Sequence, residues 1–281
     1  MTMILLALAA SFSYGWSDFL GGQASKRDSA FSVTATAQIA SGIMLLVAAL
    51  VWRGTPTSSD LWWGALAGVC GAVGITALYG ALSIGRMSVV APVTAALSGS
   101  LPALVDLVRG TQVPLLSIGG MVLAVVAVVI VSASAETEPA EERSRDLPAL
   151  GLALLAGASF AIGIVGLSET APASGLWPLV VARVVSVAVA GAFAYWRAGH
   201  AIALRPALPS ALGAGAFDSI ANVTMLVALR LGPLAVASVL SSLYPVVIVV
   251  LAFVVLHEHL RPSQQAGVAL ALVAVVLTAL R

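Results

Sequence analysis

Ten stretches of about twenty mostly apolar residues, most of them separated by short connections rich in glycine, proline or charge, constrain this chain more than anything else in it. They cover roughly 3–22, 31–52, 61–84, 88–108, 114–133, 147–167, 175–196, 208–230, 233–256 and 262–280. About 20 apolar residues of helix are needed to cross the hydrocarbon core of a bilayer. In lipid every backbone N–H and C=O must find its partner inside the protein, so such stretches fold as helices. The alternating strands of about ten residues that build a membrane barrel are absent. Composition agrees: 60% of the 281 residues are hydrophobic and 9% are charged, against about 25% charged in a water-soluble domain. A net charge of +1 leaves no basic footprint for nucleic acid. The one cysteine, Cys70, can form no internal disulfide. The first stretch resembles a signal-peptide core with an Ala7-x-Ala9 site, but it lacks a positive leading region and stays apolar through Leu20. It is read as the first span.

The chain also repeats itself. Ser11-Phe12 with Gly15 recurs as Ser159-Phe160 with Gly163, Ala81-Leu82 with Gly85 recurs as Ala228-Leu229 with Gly232, and Pro114 with Gly119 recurs as Pro262 with Gly267. The offsets are 147–148 positions. The one clear linker, residues 134–146, is polar, acidic and contains Pro139. It divides the chain into residues 1–133 and 147–281, with five spans each. Five is odd, so the second copy must enter the membrane upside down. The expected fold is therefore an all-α polytopic membrane protein of ten transmembrane helices, arranged as two inverted five-helix repeats. Inverted repeats are an established way to build a transporter.

Orientation is read from lysine and arginine, which favour the cytoplasmic side. Arg53, Arg109, Arg230 and Arg281 lie on the side of the termini, and Lys26, Arg27, Arg86, Arg143, Arg145, Arg197, Arg205 and Arg261 lie on the other. The count leans toward outside termini.

An ionisable residue deep in a span is costly and marks function by default. Arg183 in the seventh span and Asp218 near the middle of the eighth are the two such residues. Counted from a common face, their depths differ by about 6 Å at 1.5 Å rise per residue, which an arginine side chain bridges. The pair is either a structural pin between two helices or part of a wet site, and Asn222, one turn from Asp218, favours a polar wall. Asp18, four residues after Tyr14, reads as an interfacial cap beside an aromatic belt, and Asp106 with Arg109 as an i,i+3 pair. In the ninth span Pro245 frees a carbonyl one turn earlier, near Ser241. Ser241 and Ser242 can satisfy it, and an opened helix can also bind a ligand. His257-Glu258-His259 lacks the i,i+4 spacing of a zincin-type site and reads as a cap; no metal and no cofactor is expected. Gly64, Gly68 and Gly71 share a helix face that lets another helix pack closely.

Ala228-Leu229 with Gly232, then Ser241-Ser242-x-Tyr244-Pro245, Glu258 with Leu260, and Gly267 resemble the EamA-type branch of the drug/metabolite transporter superfamily. The resemblance covers nearly the whole chain. His259 follows Glu258 where the family usually has arginine, and the first copy departs further, with Leu97 and Gly110 at the positions of Pro245 and Glu258. The resemblance implies ten helices in two inverted repeats, cytoplasmic termini (against the charge count) and export or exchange of small metabolites. It also implies a midplane site walled by spans one, three, four, six, eight and nine.

The expected function is transport of small organic metabolites such as amino acids, by alternating access, in the plasma membrane. The candidate substrate-binding residues are Trp16, Tyr79, Ser98, Arg183, Asp218, Asn222, Ser241 and Tyr244. One deep acid and one deep base, with aromatic and hydroxyl groups, suit a zwitterionic or amphipathic solute better than a polyanion. Proton-coupled efflux of cationic drugs is the alternative, and a membrane-embedded sensor or enzyme ranks below both. No nucleophile–base pair, metal cluster or nucleotide-binding loop is seen in the sequence. The partners expected are a small-molecule substrate and the bilayer, with a homodimer allowed and no nucleic acid.

Overall fold

The computed structural model of the chain describes residues 1–109 and 140–257 continuously, with isolated positions between 119 and 126 and between 265 and 277. Apart from those positions, the expected fifth and tenth spans, and the linker through Pro139, lie outside the described residues. The described part is helical, with no strand among the described residues. In chain order its helices are α1 (Thr2–Ser25), α2 (Ala30–Trp52), α3 (Ser58–Ile84), α4 (Met87–Val108), α5 (Ala140–Ser168), α6 (Trp177–Ala198), α7 (Leu208–Leu231), α8 (Leu234–Ser241) and α9 (Tyr244–Leu256). Among the described residues, six helices are long and apolar enough to cross a membrane. Helices α4 and α9 supply shorter apolar stretches, Val89–Pro102 and Tyr244–Leu256. Large apolar side chains such as Trp62, Val184 and Phe253 are exposed, as a lipid-facing surface requires.

Local chemistry sets the helix ends. Thr57 and Asp60 form a capping box at the start of α3, which satisfies two of the orphan N–H groups there. Prolines stand in the first turns of α6 and α7, where a missing N–H breaks no bond. Helix α6 stops at Gly199, whose φ of +74° is left-handed and suits glycine. The chain is already helical from Ala140, so the second half of the polar linker, rich in Glu and Arg, forms the opening turns of α5. The ninth span is not one helix. It breaks at Ser242-Leu243, with Pro245 in the first turn of α9. The hydroxyls of Ser241 and Ser242 both donate to the Ser238 carbonyl, at 2.8 and 2.7 Å, which also accepts from Ser242 N–H; they do not serve the Ser241 carbonyl that Pro245 frees.

Cross-links at the helix ends fix each helix's direction. On the face where α1 begins, called proximal here, Gly232 after α7 abuts Met3. On the same face Arg109 after α4 pairs with Glu169 after α5 at 2.7 Å. Thr55 N–H, between α2 and α3, donates to the Ala173 carbonyl at 2.8 Å. On the distal face Arg27 after α1 reaches the Pro206 carbonyl before α7 at 3.2 Å, and Gly85 after α3 lies against Ala149 early in α5. Helix α1 therefore runs proximal to distal while its repeat counterpart α5 runs the other way. The same inversion holds for α2 against α6 and for α3 against α7.

The packing has the symmetry of the duplication. Exchanging the halves turns the α1–α7 contact into α5–α3, α2–α7 into α6–α3, and α4–α5 into the α1 contacts with α8 and α9; each of these pairs is packed. The α2–α6 and α4–α8/α9 contacts map onto themselves and lie on the pseudo-twofold axis. Close approach of α3 and α6 depends on glycine. A Cβ on Gly64 or Gly68 would stand 2.5 Å from the Pro178 or Ala182 carbonyl oxygen. Gly71, the third member of that face, meets nothing within 4 Å and opens onto a cavity instead.

Candidate functional site

The center of the site is a buried ion pair. Arg183 on α6 and Asp218 on α7 meet with Nη2 to Oδ2 at 2.7 Å, their side chains 6% and 7% exposed. Ser41 on α2 sits between them: its hydroxyl donates to Asp218 Oδ2 at 2.8 Å and accepts from Arg183 Nε at 3.0 Å. Asn222, one turn along α7, donates to Asp218 Oδ1 at 2.9 Å and to the Asp218 carbonyl at 2.8 Å. Ser219 donates to the Ser41 carbonyl at 3.2 Å. Both carboxylate oxygens of Asp218 are thus occupied by donors, which is what allows a charge pair to stay in the interior.

This pair forms one wall of a cavity of about 110 Å³ between the two halves. Helix α1 contributes Tyr14 and Asp18; α3 contributes Gly71 and Ile75; α4, Ser98; and α5, Ser159 and Phe160. The broken ninth span adds Ser241, Ser242 and Tyr244. The lining continues toward the proximal ends of α5 and α6 through Leu167 and Leu179. At about 110 Å³ the space is smaller than the roughly 150 Å³ cavity that accepts benzene in a protein core. It fits a compact solute.

Six of the eight candidate residues line this one cavity: Ser98, Arg183, Asp218, Asn222, Ser241 and Tyr244. The other two are not among its lining residues. Trp16 stacks on Phe217, with centroids 5.8 Å apart and an interplanar angle of 19°. Tyr79 is buried against Gly21. Asp18 requires a correction. It is not an interfacial cap but an interior residue, 8% exposed, on the cavity wall. The span estimated as 3–22 is really a helix over Thr2–Ser25, so Asp18 stands farther from the helix end than the sequence count placed it. Ser41 and Ser219 were missed because a lone serine in an apolar run carries no signal of its own. Arg109 pairs with Glu169 across the repeats; the Asp106 side chain expected as its partner lies outside the described residues. His257 caps α9 with φ of 53°, and Glu258 and His259 lie outside the described residues.

Polar latches join the helix ends on both faces of the bundle. On the proximal face Arg230 Nη2 donates to Ser174 Oγ at 3.0 Å and to the Gly175 carbonyl at 2.8 Å. Asp60 Oδ1 there accepts from Ala171 N–H at 2.7 Å. On the distal face Asp28 accepts from Leu204 N–H at 2.7 Å and pairs with His200 Nε2 at 2.9 Å. Burial works to raise the Asp28 carboxyl, but the donors Leu204, His200 and Ser29 outweigh it and hold it below the usual range. The same hydrogen bond to Asp28 lifts His200 above the usual imidazole value.

The model of the EamA-like transporter family matches residues 1–133 and 147–280, the two halves that the internal repeat delimits. No curated protein matches the chain. A solved structure titled only "Crystal structure of protein" superposes with a TM-score of 0.68 at 15% identity, covering 98% of this chain and 95% of that one. At that identity the likeness concerns the fold.

Proposed function

The chain belongs to the EamA-like transporter family, and we propose that it is a plasma-membrane transporter of small, amino-acid-like metabolites, working as an exporter or exchanger. In this reading ten helices form two inverted five-helix repeats, and rocking of one half against the other exposes a midplane cavity alternately to the two sides. The observation that carries the reading is the cavity itself: it lies between the halves, and both halves supply its polar groups. The matched halves and the inverted helix directions support the scaffold. The small volume and the mix of charge, hydroxyl and aromatic groups favour a compact zwitterion over a large drug. A cationic drug at Asp218 would have to displace Arg183, Ser41 and Asn222, which occupy both of its carboxylate oxygens.

The test is a thermal-shift screen of the purified protein with amino acids, nucleosides and cationic dyes, followed by counterflow of any hit in proteoliposomes. Stabilisation by an amino acid that disappears in Tyr244→Ala and in Gly71→Leu is expected. A hit that stabilises both variants as well as the wild type removes this cavity as the binding site.

A further inference from the structure

We propose that Asp18 is the exchangeable cation site of the cavity, its carboxylate holding a small organic ammonium in one half of the cycle and a proton in the other. The inference rests on the reading of the cavity as a transport site and adds the coupling step to it. Asp18 is 8% exposed and lines the cavity. Unlike Asp218, its side chain has no hydrogen bond and no ion pair among the described residues. The Tyr244 hydroxyl, on the same wall, is also buried without a partner. Asp18 therefore presents an unpartnered carboxyl to the cavity, and a buried polar group left unpaired is costly and a buried lone charge far more so.

Charge counting points to a cation. The titratable groups around Asp18 are Tyr14 on its own helix, Asp218 on α7, Arg183 on α6, Tyr79 on α3 and Tyr244 on α9. Helices α2 and α8 contain no titratable side chain, and the residues α5 gives to the cavity include none. Arg183 and Asp218 cancel each other. The tyrosines are neutral. When Asp18 is ionised, its one negative charge has no counter-charge among these groups. Tyr14, Phe160 and Tyr244 supply aromatic faces in the same space, which attract an ammonium, and the Tyr244 oxygen can accept from it. An amino-acid-like solute would place its ammonium group here.

The step balances simply. Protonated Asp18 gives its proton to water as the ammonium arrives, and the carboxylate pairs with the ammonium. At the other face the ammonium leaves and the carboxylate takes a proton from water. A lone carboxylate is too costly to carry through the occluded state, so only the two occupied forms cross. One proton moves for each ammonium, in opposite directions.

Infrared difference spectra of the purified full-length protein between acid and alkaline pH test the proton half without any solute. A protonated-carboxyl band that vanishes at alkaline pH is expected in the wild type and in Ser41→Ala, which removes a donor from the other cavity carboxyl, Asp218. It should be absent in Asp18→Asn and restored at a shifted position in Asp18→Glu. A band that survives in Asp18→Asn, or no titrating band in the wild type, overturns the assignment. For the ammonium half, methylammonium, phenethylammonium and tetramethylammonium are added to weakly buffered protein at the pH where the acid form is seen. Proton release by at least one of them, lost in Asp18→Asn, is expected; release by none, or undiminished release from the variant, overturns it. Metabolite counterflow that persists in Asp18→Asn with wild-type pH dependence sinks this inference and leaves transport standing. An Asp18 band in a protein that moves no solute does the reverse.

Discussion

Replacing Arg183 by methionine removes the cation and leaves the Asp218 carboxylate with only Ser41 and Asn222. The pair is nearly inaccessible, at 6% and 7% side-chain exposure, and close, at 2.7 Å, so the solvent screening that makes surface pairs weak does not apply. Breaking a buried pair by removing one partner costs about 3–5 kcal/mol, because the remaining charge is uncompensated. At about 2–4 °C per kcal/mol for a chain of roughly this size, the melting temperature should fall by roughly 6–20 °C. The double variant Arg183→Met/Asp218→Leu removes both charges and keeps the volume. It should recover most of the loss, since apolar replacement of a buried pair is neutral or better. Ser41 then loses both partners, but a serine in a helix can donate back to its own backbone. The assay is thermal unfolding in detergent, followed by tryptophan fluorescence at one fixed scan rate, because irreversible unfolding makes the midpoint rate-dependent. A single variant within about 2 °C of wild type refutes the claim that the pair holds α6 to α7. A double variant as unstable as the single refutes the claim that the loss comes from uncompensated charge.

Gly71→Leu should fold normally and block solute binding, since a Cβ there meets nothing within 4 Å and grows into the cavity. Gly68→Leu should destabilise the protein instead, because its Cβ would press on the Ala182 carbonyl at 2.5 Å; comparing the two melting temperatures checks both. The Asp28–His200 latch gives a pH window. Asp28 is lowered, so its contribution is present above the ordinary carboxyl value and is lost as pH falls through the folded one. His200 is raised, so its contribution is full below the ordinary imidazole value and is lost as pH rises through the folded one. The latch is therefore whole between about pH 4 and 6.5, and His200→Ala should flatten the pH dependence of amide exchange at Ala203 and Leu204. Arg230→Ala removes the donors to Ser174 and Gly175 and should raise amide exchange across 170–176; unchanged protection there would show that the guanidinium does not fasten this turn.

The six long apolar helices, their inversion and the Arg183–Asp218 pair were legible in the sequence because they depend on length, parity and depth, which a count of residues supplies. What depends on rotation about a helix axis was not. These helices are apolar nearly all round, so periodicity does not say which side faces the cavity. Trp16 and Tyr79 were chosen as aromatic residues in the right spans, yet Trp16 turns toward Phe217 and Tyr79 toward Gly21. Ser41 was invisible for another reason. It comes from a helix 142 positions from Arg183, and only the fold brings it between the two charges. Asp18 was hidden by a boundary error of three residues at the end of α1, enough to move an acid from the interface to the interior.

The scaffold repeats, but the chemistry does not. At the repeat offset Asp218 corresponds to Gly71 and Asp18 to Gly166, so each acid of the cavity faces a glycine in the other copy. Duplication provides two nearly equivalent packings, related by exchange of the halves, which is what a rocking mechanism requires. If the site were duplicated too, the two packings would bind the solute alike and the cycle would have no preferred occupant. Because both acids are single-copy, the two end states of the proposed cycle would present them in different surroundings. A ligand can shift such an equilibrium only by its difference in affinity for the two states. Gly71→Asp installs the second acid where an added Cβ meets nothing within 4 Å. It adds a negative charge opposite Asp218 without touching the Arg183 pair, and it should reduce the preference for one end state, read as a smaller difference in cysteine-labelling accessibility between the two faces.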